Sequence, residues 1–512
     1  MKSTRNPATA FSGGSPPSTS ACPSSAPSSS ISPTAPRSAP SISKKSSTGP
    51  RNASPAWTAP APSPVTTWVV PSSISTNPSS ASSIPSYAKT SASGAPRRKS
   101  SATWSAASMP PSRKIQFQMR QLDRSGHVVP AFAMRSLELF SGAGGLALGL
   151  EAAGFDNIAL FERNKDACVT LRNNRPAWNV GEGDVRDVDY SKFKNVDLVA
   201  GGPPCQPFSM GGKARGSDDR RDLFPEAARA VRELKPSAFI FENVRGLLRP
   251  AFAGYVEFIR LQLRFPDFPI SLNADWETNW RRLQRFANSA ASKSATEYEV
   301  SVNLVDAANY GVPQRRHRVF IVGFRKNLNL GWSMPPVTHT KEALEHAKQL
   351  SQSYWLDHGL KSKKSFKSVQ PEEDLFGAAS RWRTVRDAIA SLNESSCKIA
   401  WINHKKQPGA RSYPGHTGSP MDEPAKALKA GDHGVPGGEN MLRTLDGTVR
   451  YFTVREAARI QTFPDDWFFP VSWTESMRQL GNAVPVELAR IVAASIASKI
   501  RSHVRSKNLQ ST

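Results

Sequence analysis

The chain has 512 residues and a formal net charge of +25, with 67 lysines and arginines against 42 aspartates and glutamates. Its four cysteines form neither a disulfide framework nor a spaced metal site, which excludes a disulfide-rich secreted protein and favours a reducing compartment. We see no apolar run near the roughly 18 residues that a membrane-spanning helix needs, and no apolar core of a signal peptide at the amino end. We therefore expect neither a membrane protein nor a secreted one.

Residues 1–133 are predicted to be a disordered, basic leader rich in Ser and Pro. Up to Pro130 they contain 14 lysines and arginines and a single acidic residue, Asp123. Such a composition cannot bury enough apolar surface to offset the entropy lost on ordering. The alternative is that translation starts at Met134, where a folded pattern begins. The chain beyond the leader still carries a formal charge of +12, which favours a polyanionic partner.

From Met134 onward, short apolar runs alternate with helical stretches, a pattern typical of βαβ units. The predicted elements are strands at 137–140, 158–161, 196–200, 238–241 and 319–324, and helices at 145–153, 225–234, 453–461 and 486–499. Such units build a doubly wound, Rossmann-like parallel sheet that binds ligands at the carboxyl ends of its strands. We predict an α/β domain over 134–334, a smaller irregular domain over 335–450, and return helices over 451–512 that complete the first domain.

A nucleoside-type cofactor site is indicated at the ends of the first strands. The turn after the first strand contains Phe140, Gly142, Gly144 and Gly145. Glycines let the backbone turn tightly and approach a ligand, although an ordinary strand-to-helix turn has the same pattern. Glu162 ends the second strand, where an acidic residue commonly binds ribose hydroxyls, and Asp184 is placed to face an adenine amine.

Cys205 lies in a stiff loop of glycines and prolines, directly after a predicted strand. A structural cysteine more often sits inside a strand as a small apolar residue, which describes Cys168 and Cys397. We therefore interpret Cys205 as a nucleophile. That role requires its pKa to be lowered by a helix N-terminus or a nearby cation.

Two further polar groups lie near predicted strands. Glu242 follows the strand 238–241, where a carboxyl group often has a raised pKa and can hold or donate a proton; a plain salt bridge is the alternative. Gln314, Arg316 and Arg318 alternate just before the last strand, so they share one side of an extended segment. A guanidinium there suits a planar polar ligand or a phosphate, whereas a solvated charge run is the plainer interpretation.

Residues 134–498 resemble the DNA (cytosine-5)-methyltransferases, because the motifs of that family occur here in the same order along the chain. The matching blocks are 140–145, Glu162, 183–184, 204–206, 242–244, 314–318, 455–464 and 479–485. The resemblance implies S-adenosyl-L-methionine as cofactor, bound by Phe140, Gly142, Gly144, Gly145, Glu162, Asp184, Asn482 and Val484. It also implies that Cys205 attacks C6 of a flipped-out cytosine while Glu242 acts at N3. Arg318 would contact O2, with Arg316 supporting it.

The resemblance further implies duplex DNA as the partner and a target-recognition role for 335–450. A compact chain of this kind is typical of a bacterial, cytoplasmic and monomeric modification enzyme, for which a cognate restriction endonuclease is a hypothesis. An RNA (tRNA) cytosine-5 methyltransferase of the same architecture and a catalytically silent DNA-binding protein are the alternatives. The second leaves the intact Cys205, Glu242 and Arg318 without a role. A nicotinamide-dependent oxidoreductase would explain only the glycine turn.

Overall fold

The computed structural model describes residues 121–122, 128–129, 133–204, 222–271, 273–360, 379–393, 401–430 and 438–510. All of them belong to one compact unit, residues 112–512. Nearly all of the predicted leader and the predicted nucleophile Cys205 lie outside the described residues.

The described part of the chain contains strands and helices in alternation. The strands are β1 (Gln121–Leu122), β2 (Val128–Val129), β3 (Met134–Leu139), β4 (Phe155–Glu162), β5 (Val180–Glu182), β6 (Leu198–Gly201), β7 (Ala238–Val244), β8 (Tyr298–Asp306), β9 (His317–Arg325), β10 (His339–Thr340), β11 (Ser380–Arg381), β12 (Ser419–Pro420), β13 (Met441–Arg443) and β14 (Val449–Tyr451). The helices are α1 (Gly145–Ala152), α2 (Lys165–Asn174), α3 (Phe224–Leu234), α4 (Ala253–Arg264), α5 (Trp276–Ala287), α6 (Lys341–Gln349), α7 (Ser353–Asp357), α8 (Val385–Ile389), α9 (Val454–Ile460), α10 (Trp473–Asn482) and α11 (Val486–Gln510).

A seven-stranded sheet in the order β5-β4-β3-β6-β7-β9-β8 forms the centre of the fold. Its first five strands are parallel, and its buried side chains alternate between two helical layers. Phe239 and Phe241 of β7 face a core built with α3, α4 and α5. Ala238 and Ile240 face the opposite core, built with α1 and α11. The predicted α/β fold with a doubly wound sheet is therefore confirmed.

The sequence interpretation was wrong at the far edge of the sheet. The strand predicted at 319–324 was taken as parallel, but β9 runs antiparallel to both β7 and β8. The connection 307–316 is too short for the crossover that a parallel pair requires, so the chain turns back on itself. Because β7 and β9 also extend beyond their predicted bounds, Glu242 and Arg318 lie inside strands rather than beside them.

Short elements make up the described part of 335–450. They include the parallel pair β10–β11 and a three-stranded sheet, β12-β13-β14. This agrees with the irregular structure expected there, while the domain boundaries at 334 and 450 stay predictions. The chain then enters α9 through a capping box in which Thr453 and Glu456 satisfy each other's backbone N–H groups.

The C-terminal helix α11 packs against α1 across one face of the sheet. A Cβ added at Gly149 would lie 2.4 Å from the Cβ of Ala489, so a glycine is required at that contact. The stretch 473–506 is long and apolar enough to cross a membrane by length and composition, a feature that the sequence analysis missed. Because 61% of its most apolar window is buried inside the protein, we interpret it as core.

Candidate active site

The glycine turn between β3 and α1 has the left-handed backbone that its sequence requires. Gly142 and Gly144 have φ values of +52° and +87°, a region that side chains rarely adopt. A Cβ at Gly145 would lie 2.2 Å from the carbonyl oxygen of Val484. This glycine therefore lets the start of α1 touch residues 481–485, which we call the return segment. At Gly142, by contrast, no atom of the described residues lies within 4 Å of an added Cβ. The turn therefore borders open space on one side and the segment 481–485 on the other.

Glu162 holds the glycine turn in place from the end of β4. Its Oε2 accepts a 2.7 Å hydrogen bond from the backbone N–H of Gly142, and its Oε1 accepts a 2.6 Å bond from that of Asn164. Asn164 in turn caps α2 through Ala167. The carboxylate that the sequence assigns to ribose therefore also connects two backbone turns. Both turns lie at the edge of the sheet where the carboxyl ends of the parallel strands meet, which we call the carboxyl edge.

Asp184 lies just after β5, at the same edge of the sheet. Its carboxylate accepts hydrogen bonds of 2.9 Å and 2.6 Å from the guanidinium of Arg186 and lies 4.0 Å from that of Arg163. The side-chain hydrogen bond from Arg186 is the main reason that the pKa of Asp184 falls to about 2. Asp184 is therefore ionised at neutral pH and remains an acceptor.

Glu138 is a buried carboxyl group to which the sequence analysis gave no role. It lies in β3, two residues before the glycine turn, and is 1% exposed. Its Oε2 has no hydrogen-bond partner among the described residues. Burial, followed by the charge of Glu162, raises the pKa of Glu138 well above its ordinary value. The signal in the sequence was a single carboxylate inside the otherwise apolar run 137–140.

Glu242 and Arg318 form a buried ion pair across two neighbouring strands. The Oε1 of Glu242 lies 2.5 Å from the Nε of Arg318, and the two side chains are 9% and 12% exposed. Removal from water raises the pKa of Glu242 above its ordinary value, although Arg318 acts in the opposite direction. A carboxyl group that retains its proton beside a guanidinium can donate to one atom of a ring while the arginine donates to another.

The segment that leads to Cys205 runs beside this pair. A Cβ at Gly202 would lie 3.4 Å from the Oε2 of Glu242, and the Nδ2 of Asn243 donates a 3.1 Å hydrogen bond to the carbonyl of Pro203. The described chain stops at Pro204 and resumes at Asp222, so the placement of Cys205 lies outside the described residues.

Arg316 is buried against backbone carbonyl groups. It donates to the carbonyls of Leu428, at 2.9 Å, and of Gly481 and Ala483, at 2.6 Å and 3.1 Å. Gln314, on the same side of the segment, accepts from the N–H of Leu428 at 2.9 Å. The expected alternation is confirmed, because both side chains are buried whereas Arg315 between them is exposed. Arg316 thus joins three segments that are far apart in sequence.

The predicted C-terminal cofactor residues adjoin the glycine turn. Val484 is buried and touches the position of Gly145 through its carbonyl oxygen, whereas Asn482 at the end of α10 is exposed. The structure therefore brings 140–145, Glu162 and Val484 together. Glu242 lies on β7, three strands from β4, and Arg318 lies on β9, four strands from it, which is about 14 Å and about 19 Å at a strand spacing near 4.8 Å.

Residues 134–273 and 278–498 match the family described as C-5 cytosine-specific DNA methylase. The chain belongs to this family. It is 34% identical over 372 residues to the type II methyltransferase M.NgoMIV of Neisseria gonorrhoeae, covering 72% of this chain and 98% of the relative. It is 36% identical over 368 residues to M.Eco47II of Escherichia coli, covering 70% and 78%. The crystal structure of S. pombe Dnmt2 methyltransferase covers 72% of this chain and 99% of its own, at 17% identity and a TM-score of 0.44.

This DNA methylase therefore transfers a methyl group to C5 of cytosine in DNA, with S-adenosyl-L-methionine as the donor. The residues at the carboxyl edge of the sheet fit that cofactor. It carries positive charge on its sulfonium and ammonium groups, and two carboxyl groups, Glu162 and Asp184, lie at the end of β4 and just after β5. No described atom lies within 4 Å of a Cβ added at Gly142, so the glycine turn leaves room for the cofactor beside it.

Proposed function

We propose that this methylase acts on cytosine within one specific sequence of duplex DNA, through a covalent bond between Cys205 and C6 of a flipped-out base. The observation that carries the proposal is the buried pair of Glu242 and Arg318, with the raised pKa of the carboxyl group. It lies beside Gly202, at the end of the strand that leads to Cys205. The base leaves the duplex at a cost of a few kcal/mol, which contacts in the pocket offset.

In this proposal the protein residues make C5 of the ring nucleophilic. The thiolate of Cys205 adds to C6, while protonated Glu242 donates to N3 and Arg318 donates to the exocyclic O2. Electron density then moves to C5. C5 takes the methyl group that the bound cofactor would supply. Loss of the C5 proton, return of the N3 proton to Glu242 and expulsion of the thiolate then restore the aromatic ring. Arg316 contributes by position, because its guanidinium is occupied by carbonyls that fix the strand carrying Arg318.

We assign the cofactor to the residues around the glycine turn. S-adenosyl-L-methionine supplies an electrophilic methyl group when bound. Phe140, Gly142, Gly144 and Gly145 would pack around it, and Asn482 and Val484 would complete the pocket. Glu162 retains acceptor capacity on both oxygens for ribose hydroxyls, and Asp184 is ionised for an adenine amine.

The biological role that we propose is that of a modification enzyme in a restriction-modification system. The relatives M.NgoMIV and M.Eco47II are named type II methyltransferases. A cognate endonuclease acting on the same site, a monomeric state and a cytoplasmic location are parts of this proposal. Residues 335–450 would read the target sequence, and 451–512 would complete the catalytic domain.

Covalent trapping tests the proposed chemistry. Fluorine at C5 cannot leave as a proton, so DNA containing 5-fluorocytosine should stop the reaction at the covalent stage. We expect the full chain to form a denaturation-resistant adduct that depends on added cofactor and is absent in Cys205→Ser. Cys168→Ser is the matched control and should still form it. An adduct with Cys205→Ser, or none with the wild type, would exclude this mechanism. Adduct formation with 5-fluorocytosine tRNA alone would establish the RNA alternative.

Cofactor titration tests the ribose assignment of Glu162. Glu162→Gln keeps an acceptor oxygen but loses charge and one backbone contact, so binding of S-adenosyl-L-methionine should weaken by about tenfold, or 1.4 kcal/mol. Glu182→Gln, a carboxylate of β5 that is paired with Arg172, is the matched control and should bind as the wild type does. Unchanged affinity in Glu162→Gln would remove the ribose contact from the account.

A further inference from the structure

A polar cavity lies at the edge of the sheet opposite the candidate active site. It has a volume of about 630 Å³ and opens beside the amino end of β7. Lys235 precedes β7 and Arg325 ends β9, whereas Arg318 lies near the other end of β9. Seven residues of strand at about 3.3 Å each separate the two arginines by about 23 Å. The cavity is therefore distinct from the site around Glu242.

The charged side chains that line this cavity are mostly cationic. The cationic side chains are Lys235, Arg264, Lys293, Arg325 and Lys326, and Glu297 is the single carboxylate among the lining residues. Glu297 is already engaged, because it accepts from Arg264 at 2.6 Å and from Lys326 at 2.8 Å. Lys235 lies 3.5 Å from Asp267. Across the described residues, no carboxylate lies within ion-pair distance of Lys293 or Arg325. We call this site the basic cavity.

The basic cavity has the donors that a phosphate group requires. Guanidinium and ammonium groups donate charge-assisted hydrogen bonds to phosphate oxygens, and Thr296 and Asn327 add neutral donors at the rim. The ion pairs of Glu297 hold Arg264 and Lys326 in place, which reduces the entropy lost when a ligand binds. Polar groups dominate the lining, which argues against an apolar ligand.

We propose that the basic cavity binds a backbone phosphate of a second DNA segment, separate from the duplex being methylated. The substrate of this family supplies the phosphate chemistry, and the residues outside the leader carry a formal charge of +12. A duplex held at the carboxyl edge does not extend through the sheet, so the phosphate comes from another segment. Contacts at two edges let the enzyme hold two DNA segments and transfer between them. The proposal rests on the activity of the family and not on the covalent mechanism.

A two-duplex binding experiment tests this proposal. The full chain is saturated with an unlabelled duplex that carries its methylation site, and a fluorescent duplex of A·T pairs, free of cytosine, is then titrated. The variant Lys293→Gln/Arg325→Gln removes the two charges that have no carboxylate partner among the described residues, although Arg325 also donates to the carbonyl of Pro236 at 3.3 Å. The control Lys192→Gln/Lys194→Gln removes two exposed charges that do not line the basic cavity. Methylation of the first duplex is measured in parallel.

We expect the cavity variant to bind the fluorescent duplex about fivefold more weakly, with a salt slope lower by about 1, as loss of one phosphate contact predicts. The control should stay close to the wild type, and both variants should methylate normally. Equal binding by all three proteins, or an equal loss in both variants, would overturn the proposal. Binding of inorganic phosphate that depends on Lys293 and Arg325, with duplex binding unaffected, would also overturn it and indicate a small phosphate ligand.

Discussion

Replacement of Gly145 by alanine tests whether the glycine turn and the return segment form one cleft. An added Cβ would lie 2.2 Å from the carbonyl oxygen of Val484 and 3.4 Å from the Cβ of Ala483. Ordinary contacts of a Cβ begin near 3.4 Å. The two backbones must therefore separate by about 1 Å, which is a larger shift than a packed core absorbs without cost.

The structure indicates that this separation is resisted. The carbonyls of Gly481 and Ala483, just before Val484, accept hydrogen bonds from buried Arg316 at 2.6 Å and 3.1 Å. The N–H of Val486, just after it, donates to the carbonyl of Gln461 at 3.1 Å. Overpacking typically costs about 1–3 kcal/mol, and with both flanks held we expect about 3 kcal/mol.

Urea unfolding and calorimetric titration with S-adenosyl-L-methionine measure the effect. Gly145→Ala should lose about 3 kcal/mol of unfolding free energy and bind the cofactor at least about tenfold more weakly. Gly142→Ala is the matched control, because its positive φ costs about 1–2 kcal/mol but its Cβ meets no described atom. If Gly145→Ala is no less stable than Gly142→Ala, the close approach of the two segments is refuted.

Three further substitutions test the buried charges. The unfolding free energy of Glu138→Gln should rise relative to that of the wild type as pH increases above 4.5, by about 1.4 kcal/mol per pH unit until the raised pKa of Glu138 is passed. The reason is that only the wild type keeps a protonated carboxyl group when folded that ionises when unfolded. A difference in unfolding free energy that stays constant from pH 5 to pH 9 in urea would count against this reasoning. Arg316→Lys should lower the unfolding free energy by about 2–4 kcal/mol, because a lysine leaves buried carbonyls without donors. The control Arg315→Lys, at an exposed position, should lower it by less than about 1 kcal/mol. Equal losses of unfolding free energy would contradict this reasoning. In the wild type, kcat should fall as pH rises through the raised pKa of Glu242, because the carboxyl group then loses its proton. Glu242→Gln should have a lower kcat without that decline. A pH profile of kcat that is the same in both proteins would remove Glu242 as the proton donor.

The sequence predicted the position of residues at strand ends, while their roles stay predictions. Phe140 and Glu162 were placed at the ends of predicted strands and Asp184 in a loop, and all three lie at the edge where the carboxyl ends of parallel strands meet. The direction of β9 could not be predicted in the same way. An apolar strand has the same pattern in either direction, and only its short connection to β8 determines that it is antiparallel.

Long-range contacts were also beyond the sequence. Arg316 binds carbonyls 112 and 165 residues away, and every residue has a carbonyl, so no pattern marks these partners. Glu138 was missed because one carboxylate in an apolar run does not change its periodicity. Its burial and its unpartnered oxygen become visible only once β3 is placed between β4 and β6.

Bisulfite sequencing tests the central claim most directly. Genomic DNA would be taken from a host without its own cytosine methylation that expresses the full chain, with Cys205→Ser as the matched control. The account predicts cytosines protected from conversion at one short recurring sequence with the wild type, and none with the variant. A fully converted genome, from cells in which the protein is folded and binds S-adenosyl-L-methionine, would contradict it.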